Sequence, residues 1–540
     1  MSFQKTKRTG KSVLRYMRPN ILLLFSDQHK ASVLGCEGHP DVATPHLDAL
    51  ARDGTRFSRA YCQDAICVPS RCSMLTGLYP RSFGSMDFRH MAGNHNDLAP
   101  YFAPTLWESD PMQKIFQDAG YATAAFGKRH LYEPCDTGWD TTASHLPDES
   151  PSDDYLGWIQ GRGLSREAAE DWAAELGQGL DGTLIDGKTD QFAPLATRAS
   201  RLPDDATMEA FTASRTRQFL RERSKDSQPF FCWSSFYRPH QPYTPLPRYW
   251  DRHDRTRWGR GTNAGDALFM PGTLREDPAK LPPFLRGWFH GRNRVWCLDQ
   301  ARQDEQLYRN YISAYYALVE EIDHHVGAIL SDLDALGMAE NTIVLVASDH
   351  GDFVGSHGMV EKCSAGHNVY EDTLRVPLIV RWPGKVREGA VRADLTELVD
   401  LYPTLIDLCQ LPAPRQSLDG RSLARTLCNG EPVGRSYCVS ENWAQATVIT
   451  ERFKLGHWKA PDDAGIHFDF REFGDMLFDL ERDPGETRNI FSTVPEVLRV
   501  ELMHLLAEWE EKHPLRRPTM PPGLRELLES ILRGWTANPL

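Results

Sequence analysis

Short, unbroken apolar runs alternate with amphipathic stretches along most of this chain. The first, Asn20-Ile-Leu-Leu-Leu-Phe-Ser26, has the length of one strand and almost no position fit to face water. A strand buried on both faces reads this way, as in a parallel sheet covered by helices on each side. A helix is predicted over His46 to Asp53, stopped at Gly54, and "TRFSRAYCQ" predicts another strand. "TLWESDPMQKIFQDAGYATAAFGK" repeats the alternation, with a helix to Gly120 and a strand from Tyr121 to Phe126. "PFFCWSSF" at 229–236, "NTIVLVASDHG" at 341–351 and "VPLIVRWPG" at 376–384 read as three more strands. The order predicts the α/β class, a large and mostly parallel central sheet sandwiched between helices.

Two polar stretches interrupt this pattern, about Pro134 to Thr207 and about 247–300, and both read as surface excursions with short helices. A turn-rich break at Asn429 to Val433 precedes "SYCVSENWAQATVITERFKLGHW", which alternates like antiparallel strands, and then the helix "PEVLRVELMHLLAEWEEKH". The expected division is a larger α/β domain over 19–432 and a smaller C-terminal α+β domain with a tail over 433–540. A chain of 540 residues is long enough for two or three such units.

Composition narrows the function classes. The formal net charge is −13 with no basic domain, which argues against a nucleic-acid partner. Eleven cysteines in no framework spacing read as reduced thiols. The N-terminal cations Lys5, Lys7, Arg8, Lys11, Arg15 and Arg18 precede an apolar run too short for a signal-peptide core. No stretch approaches the length of a membrane span. The expectation is a soluble, cytoplasmic protein with no membrane partner, assembled as a homo-oligomer (dimer or tetramer).

The chemistry concentrates in a few places. Cys67-Val68-Pro69-Ser70-Arg71, followed by Leu75-Thr76-Gly77, fixes Pro, Ser and Arg at offsets that serve no general packing purpose. Asp27-Gln28 closes the first buried strand and Asp349-His350 closes "TIVLVAS". Either pair alone reads as a turn or helix cap. Carboxylates at the carboxyl ends of parallel strands, however, face the crevice where such sheets bind ligands.

The C-x-P-S-R segment resembles the signature of the sulfatase family. The family's usual Arg after the Gly is Leu78 here, with Arg81 close by. "FGKRHL" is similar to the family's G-K-x-H-L block, "SFYRPHQPY" to its P-H-x-P segment, and Lys362 follows Asp349 by thirteen residues. "VATPHLDALARDGTRFSRAY", "TELVDLYPTLIDL" and "DMLFDLERDPGETRN" extend the likeness from about residue 19 to about 490. The resemblance implies an alkaline-phosphatase-like sandwich and a Cys67 oxidised to formylglycine. An ordinary Cys67 thiolate is the second reading. Hydrated formylglycine is a geminal diol: one hydroxyl attacks, and deprotonation of the other expels the product.

The same resemblance implies one divalent ion, Ca²⁺ or Mn²⁺, held by Asp27, Gln28, Asp349, His350 and residue 67, with the imidazole making Mn²⁺ plausible. It gives Lys128 and Arg71 the anion and the diol, His130 the second diol proton, and His240 with Lys362 the departing oxygen. Gln28 and His350 stand where many sulfatases have Asp and Asn, and are similar to the phosphonate monoester hydrolase and choline sulfatase branches. The expected activity is hydrolysis of small-molecule sulfate monoesters, aryl esters among them. The alternatives are a phosphonate monoester or phosphodiester hydrolase and, more weakly, a choline sulfatase. From another class comes an unconverted, non-catalytic anion-binding protein. The extra residues "CSAGHN" after Lys362, with His367 among them, are assigned no role.

Overall fold

The alternating faces of the first strand organise the whole molecule. In the computed structural model, Ile21, Leu23 and Phe25 join one core with Val68, Met74 and Phe116. Leu22 and Leu24 join another with Leu47, Phe211, Ile322 and Val326. Side chains alternate across a strand, so a run apolar at every position serves two cores at once. The structure describes residues 18–83, 108–145, 153–176, 197–253, 268–281, 305–362, 369–442, 445–458 and 474–516.

The strands, in chain order, are β1 (Asn20–Asp27), β2 (Thr55–Phe57), β3 (Ala60–Tyr61), β4 (Ala122–Gly127) and β5 (Thr141–Ala143). Next come β6 (Phe230–Pro239), β7 (Thr342–Ser348), β8 (Arg375–Val376), β9 (Leu378–Arg381), β10 (Ala390–Arg392) and β11 (Thr396–Glu397). β12 (Cys438–Asn442), β13 (Gln445–Ile449), β14 (Phe453–Trp458) and β15 (Met476–Asp479) complete the set. Eight of them form the central sheet in the order β10-β2-β9-β7-β1-β6-β4-β5. β1 lies parallel to both β6 and β7, whereas β9 runs antiparallel to β7 and β2. The α/β sandwich with a mostly parallel sheet is therefore present.

The principal helices are α1 (Pro45–Arg52), α2 (Cys67–Thr76), α3 (Met208–Arg223), α4 (Glu305–Ala335) and α5 (Glu496–Lys512). α1, α3 and α4 cover one face of the sheet and α2 the other. β12 to β15 form a separate antiparallel sheet, on which Leu502, Leu506 and Trp509 of α5 pack. Among the described residues no helix is long and apolar enough to cross a membrane.

Two sequence expectations need correction, and one long helix went unread. "TRFSRAYCQ" is two strands, not one: β2 joins the central sheet and β3 a small sheet with β8 and β11. The matching break on the partner side is Pro377, between β8 and β9, which has no N–H to continue the ladder. The polar stretch after Pro134 is not all excursion, since β5 within it edges the central sheet beside β4. The 31-residue α4 was not expected at all. Its Glu320, Glu321, Asp323 and His325 are buried, so the polar stripe that would mark an amphipathic helix is missing. The insertion Cys363 to Asn368, His367 included, lies outside the described residues, as do Lys5 to Arg15 and the tail from residue 517.

Candidate active site

Parallel pairing of β1 with β7 puts Ser26 opposite Ser348, so Asp27 and Asp349 leave neighbouring strand ends side by side. Both carboxylates are completely buried. Cys67 is the first residue of α2 and points its Sγ into the same space, 3.3 Å from His350 Nε2 and 3.8 Å from Asp27 Oδ1. A helix start favours negative charge, because its first N–H groups have no partner in the helix. Ligand atoms of Asp27, Cys67, Asp349 and His350 all lie within 4.8 Å of one another.

Arg71, one turn along α2, lies behind the carboxylates. Its Nη2 donates to Asp27 Oδ2 at 2.9 Å and its Nε to Asp349 Oδ2 at 2.8 Å. Nη1 donates to Lys128 O and Ser235 Oγ, and the guanidinium sits 5.1 Å from the Phe25 ring. With all three nitrogens turned to protein oxygens, Arg71 holds the carboxylates; its direct contact with a substrate anion is not what the geometry gives. Ser70 Oγ adds a 2.6 Å bond to Asp349 O.

Lys128 follows β4, and its Nζ meets Asp27 Oδ2 at 2.6 Å while lying 4.7 Å from the centre of the Tyr237 ring. Gly127 before it has φ 95°, and a Cβ there would stand 1.9 Å from Ser235 O, so only glycine lets the chain pass. His130 lies two residues on, half-buried, with φ 48°. His240 follows β6; its N–H donates to Asp27 O at 3.2 Å and its Nδ1 to Gln241 O at 2.8 Å. Lys362 is buried and donates from Nζ to Gln28 Oε1 at 2.8 Å. Gln28 itself has φ 67°, receives no water-facing surface, and gives its Nε2 to Asp352 Oδ2 at 2.6 Å.

These charges shift one another. Burial opposes ionisation of Cys67, and Asp27 adds to it, yet Lys362, Lys128 and His350 hold the thiol well below its usual range. Burial likewise opposes the charge on Asp27, but Lys128, His240, Arg71 and His350 keep it well below the ordinary carboxylate range. His240 is pushed well down by burial, then by Lys128 and Lys362. His350 goes the other way: burial opposes its charge, while Asp349 and Cys67 raise it.

The donor set fits a divalent cation. Two carboxylates, one imidazole and residue 67 bring their ligand atoms together, and the backbone N–H of Gln28 donates to Asp349 Oδ1 at 2.9 Å. His350 Nδ1 is 2.9 Å from Gly351 O, which can only accept, so Nε2 is left to face the cluster. Metal-binding imidazoles are oriented in this way by a carbonyl behind them.

Sequence reasoning missed Asp352 and Glu361. Asp352 was visible as the last residue of "SDHGD", but nothing in sequence links it to Gln28, 324 positions away. Glu361 is buried and its carboxylate accepts from the Gln241 side chain, a contact across 120 positions.

Acids, a buried cysteine at a helix start and flanking cations thus gather at the carboxyl edge of the central sheet, the donor set of a site for an anionic ester. The family model described as Sulfatase matches residues 19–411, and the chain belongs to the sulfatase family. A second model, described as N-sulphoglucosamine sulphohydrolase, C-terminal, matches residues 355–512. An arylsulfatase of Clostridium perfringens is 28% identical, covering 88% of this chain and 91% of its own. A steryl-sulfatase of Mus musculus is 30% identical over 87% and 78%. Among solved structures, the phosphonate monoester hydrolase of Agrobacterium radiobacter shares the fold, with a TM-score of 0.70 at 24% identity over 92% and 96% of the two chains. The protein is thus a sulfuric ester hydrolase by family.

Proposed function

We propose that this enzyme hydrolyses sulfate monoesters of small alcohols or phenols with residue 67 as nucleophile. The observation that carries the reading is the meeting of Cys67 with Asp27, Asp349 and His350 at the start of α2. Hydrated formylglycine at this position would carry two hydroxyls on the carbon that bears Sγ, one to attack and one whose deprotonation expels the product. Asp27, Asp349 and His350, with Gln28, would hold one divalent ion, Ca²⁺ or Mn²⁺, whose chemistry is to lower the pKa of a bound hydroxyl and neutralise an anion.

The remaining residues then have parts of their own. Arg71 fixes both carboxylates. Lys128, tied to Asp27, brings positive charge to the anion, and His130 in the same loop accepts the second diol proton. His240 and Lys362 flank the departing oxygen from two separate loops. A second reading is the hydrolysis of phosphonate monoesters or phosphodiesters, favoured by Gln28 and His350 in place of the more usual Asp and Asn.

Mass spectrometry of the peptide around Pro69 should find aldehyde in place of thiol, and Cys67→Ala should remove nearly all turnover. Kinetics on matched aryl sulfate, aryl phosphonate and phosphodiester substrates separate the two readings. Full activity with unmodified Cys67, or undiminished activity after chelation and metal analysis showing none bound, would overturn the proposal.

A further inference from the structure

Glu361 is a buried acid at the active site for which the chemistry above has no use. It is 7% exposed and immediately precedes Lys362. Its backbone N–H reaches Tyr311 OH at 3.5 Å and its carbonyl accepts from Phe353 N–H at 2.9 Å, which fixes where the side chain starts. From there Oε1 accepts from Nε2 of Gln241, the residue after His240. The carboxylate therefore bridges the two loops that carry His240 and Lys362. Among the described residues, Oε2 has no hydrogen bond or ion pair. The Lys362 ammonium beside it is turned to Gln28 Oε1 instead.

Position and charge together give this acid a direction. Cys67, His350 and Lys362 are all near enough to act on it. Burial first, and then the negative Asp352 and Cys67, push it up to about 7 in spite of Lys362. A buried carboxyl is stabilised in its charged form by a cation brought against it. The transferred anion belongs with Lys128 and the carboxylate cluster, so the group arriving between His240 and Lys362 is the leaving alcohol.

We propose that Glu361 is a specificity-determining residue that selects esters whose leaving group carries an ammonium N–H, such as sulfated amino alcohols or amino sugars. The inference rests on the ester-hydrolysis reading above. An ammonium placed on the leaving alcohol completes Oε2, whereas a carboxylate or a second sulfate in the same place is repelled. One such contact in a partly desolvated site is worth about tenfold to a hundredfold in selectivity.

The test uses three aryl sulfates of similar leaving-group basicity: 3-(aminomethyl)phenyl, 3-methylphenyl and 3-(carboxymethyl)phenyl sulfate. For the metal-loaded wild-type enzyme, kcat/KM should rank ammonium, neutral, carboxylate, with about tenfold or more between the first two. In Glu361→Gln, whose amide oxygen can still accept from Gln241, the ammonium-to-neutral ratio should fall to within about twofold of one. Because the readout is a ratio between esters, a general loss of activity in the variant leaves it intact. A wild-type ratio near one overturns the inference without any variant, and an unchanged ratio in Glu361→Gln overturns it as well. If the neutral ester is not hydrolysed at all, the sulfate-ester reading fails and this inference falls with it.

Discussion

Gln28 Nε2 donates to Asp352 Oδ2 at 2.6 Å, so its Oε1 faces the other way, where it accepts from Lys362 Nζ at 2.8 Å. Asp352 is in turn held by Tyr311 OH at 2.7 Å and by the Val354 N–H at 2.7 Å. An amide has two unlike ends, and a carboxylate accepts only from the NH₂ end. Asp352→Asn reverses that selection, since the Val354 N–H keeps the amide oxygen and leaves the NH₂ end facing Gln28. The expected result is a tenfold to hundredfold weaker affinity for Mn²⁺, measured by calorimetry, the usual scale for such outer partners. The melting temperature of the metal-free variant should stay within a few degrees of the wild type. Equal affinity would mean that Gln28 needs no help in orientation. At this scale the sequence was legible where chemistry sits in one short motif. Cys67, Asp27, Asp349 and His350, which the fold brings together, could be singled out because each lies at the end of a recognisable strand or at the motif itself. Asp352 and Glu361 could not, because their meaning lies in partners that only folding brings near. Sequence singled out Arg71 but could not show that all three of its nitrogens meet protein oxygens.

Under the loop that carries His240, two elements are clamped by one buried cation. Arg238, at the end of β6, donates from Nη1 to Thr244 O at 2.9 Å and from Nη2 to Thr244 Oγ1 at 3.0 Å, closing the loop on itself. Its other contacts are Glu321 on α4 at 3.3 Å and Glu209 on α3 at 3.4 Å. Lysine would keep the charge but not the planar fork that makes both Thr244 bonds. Arg238→Lys should therefore loosen His240, lowering kcat by about tenfold for poor leaving groups and much less for nitrophenyl esters. A melting temperature that falls while the leaving-group dependence is unmoved would assign Arg238 to stability alone. α4 also carries His325, whose pKa is pushed down to about 3 by burial, then by His324 and Arg248. The folded state binds this proton below its unfolded value, so the cost is absent above about pH 6.5 and grows as pH falls toward 3. Replacing His325 by Leu should shrink the loss of stability between pH 7 and pH 5 by about 2 kcal/mol, read from denaturant unfolding at each pH. Equal losses in both proteins would place the acid sensitivity elsewhere. α4 was also the element hardest to read. Burying its acids and His325 inside the fold hides the polar stripe by which helices are usually recognised.

For the molecule as a whole, the open question is what holds the C-terminal sheet to the catalytic sandwich, and one lysine answers much of it. Lys454 lies on β14 with its side chain fully buried. It meets Glu371 Oε1 at 3.0 Å and also Glu486 Oε1. Glu371 belongs to the short helix Glu371–Leu374, next to Asp372, which pairs at 2.6 Å with Lys30 beyond the end of β1. Glu486 lies past β15 and accepts, through Oε2, from the Glu371 N–H at 2.7 Å. The ion cluster thus runs from the C-terminal sheet to a segment a few residues beyond Lys362. Sequence showed that an antiparallel unit would end the chain, because its strands alternate cleanly. It could not show this joint, whose three charges come from segments that look like ordinary solvated surface. Lys454→Met keeps the volume but leaves two acids facing each other without a cation. Removing one partner of a buried ion cluster costs about 3–5 kcal/mol, because the charges left behind are stranded. Burial already holds Glu486 up near 7, with Lys454 acting against it, so losing the lysine should raise that carboxyl further. The variant's deficit should therefore be largest at alkaline pH and shrink as pH falls and a proton takes the place of the ammonium. Adding Glu486→Gln to Lys454→Met should recover part of the loss at pH 8. If the single variant unfolds at the wild-type denaturant midpoint at every pH, the joint is held by apolar packing and not by these charges.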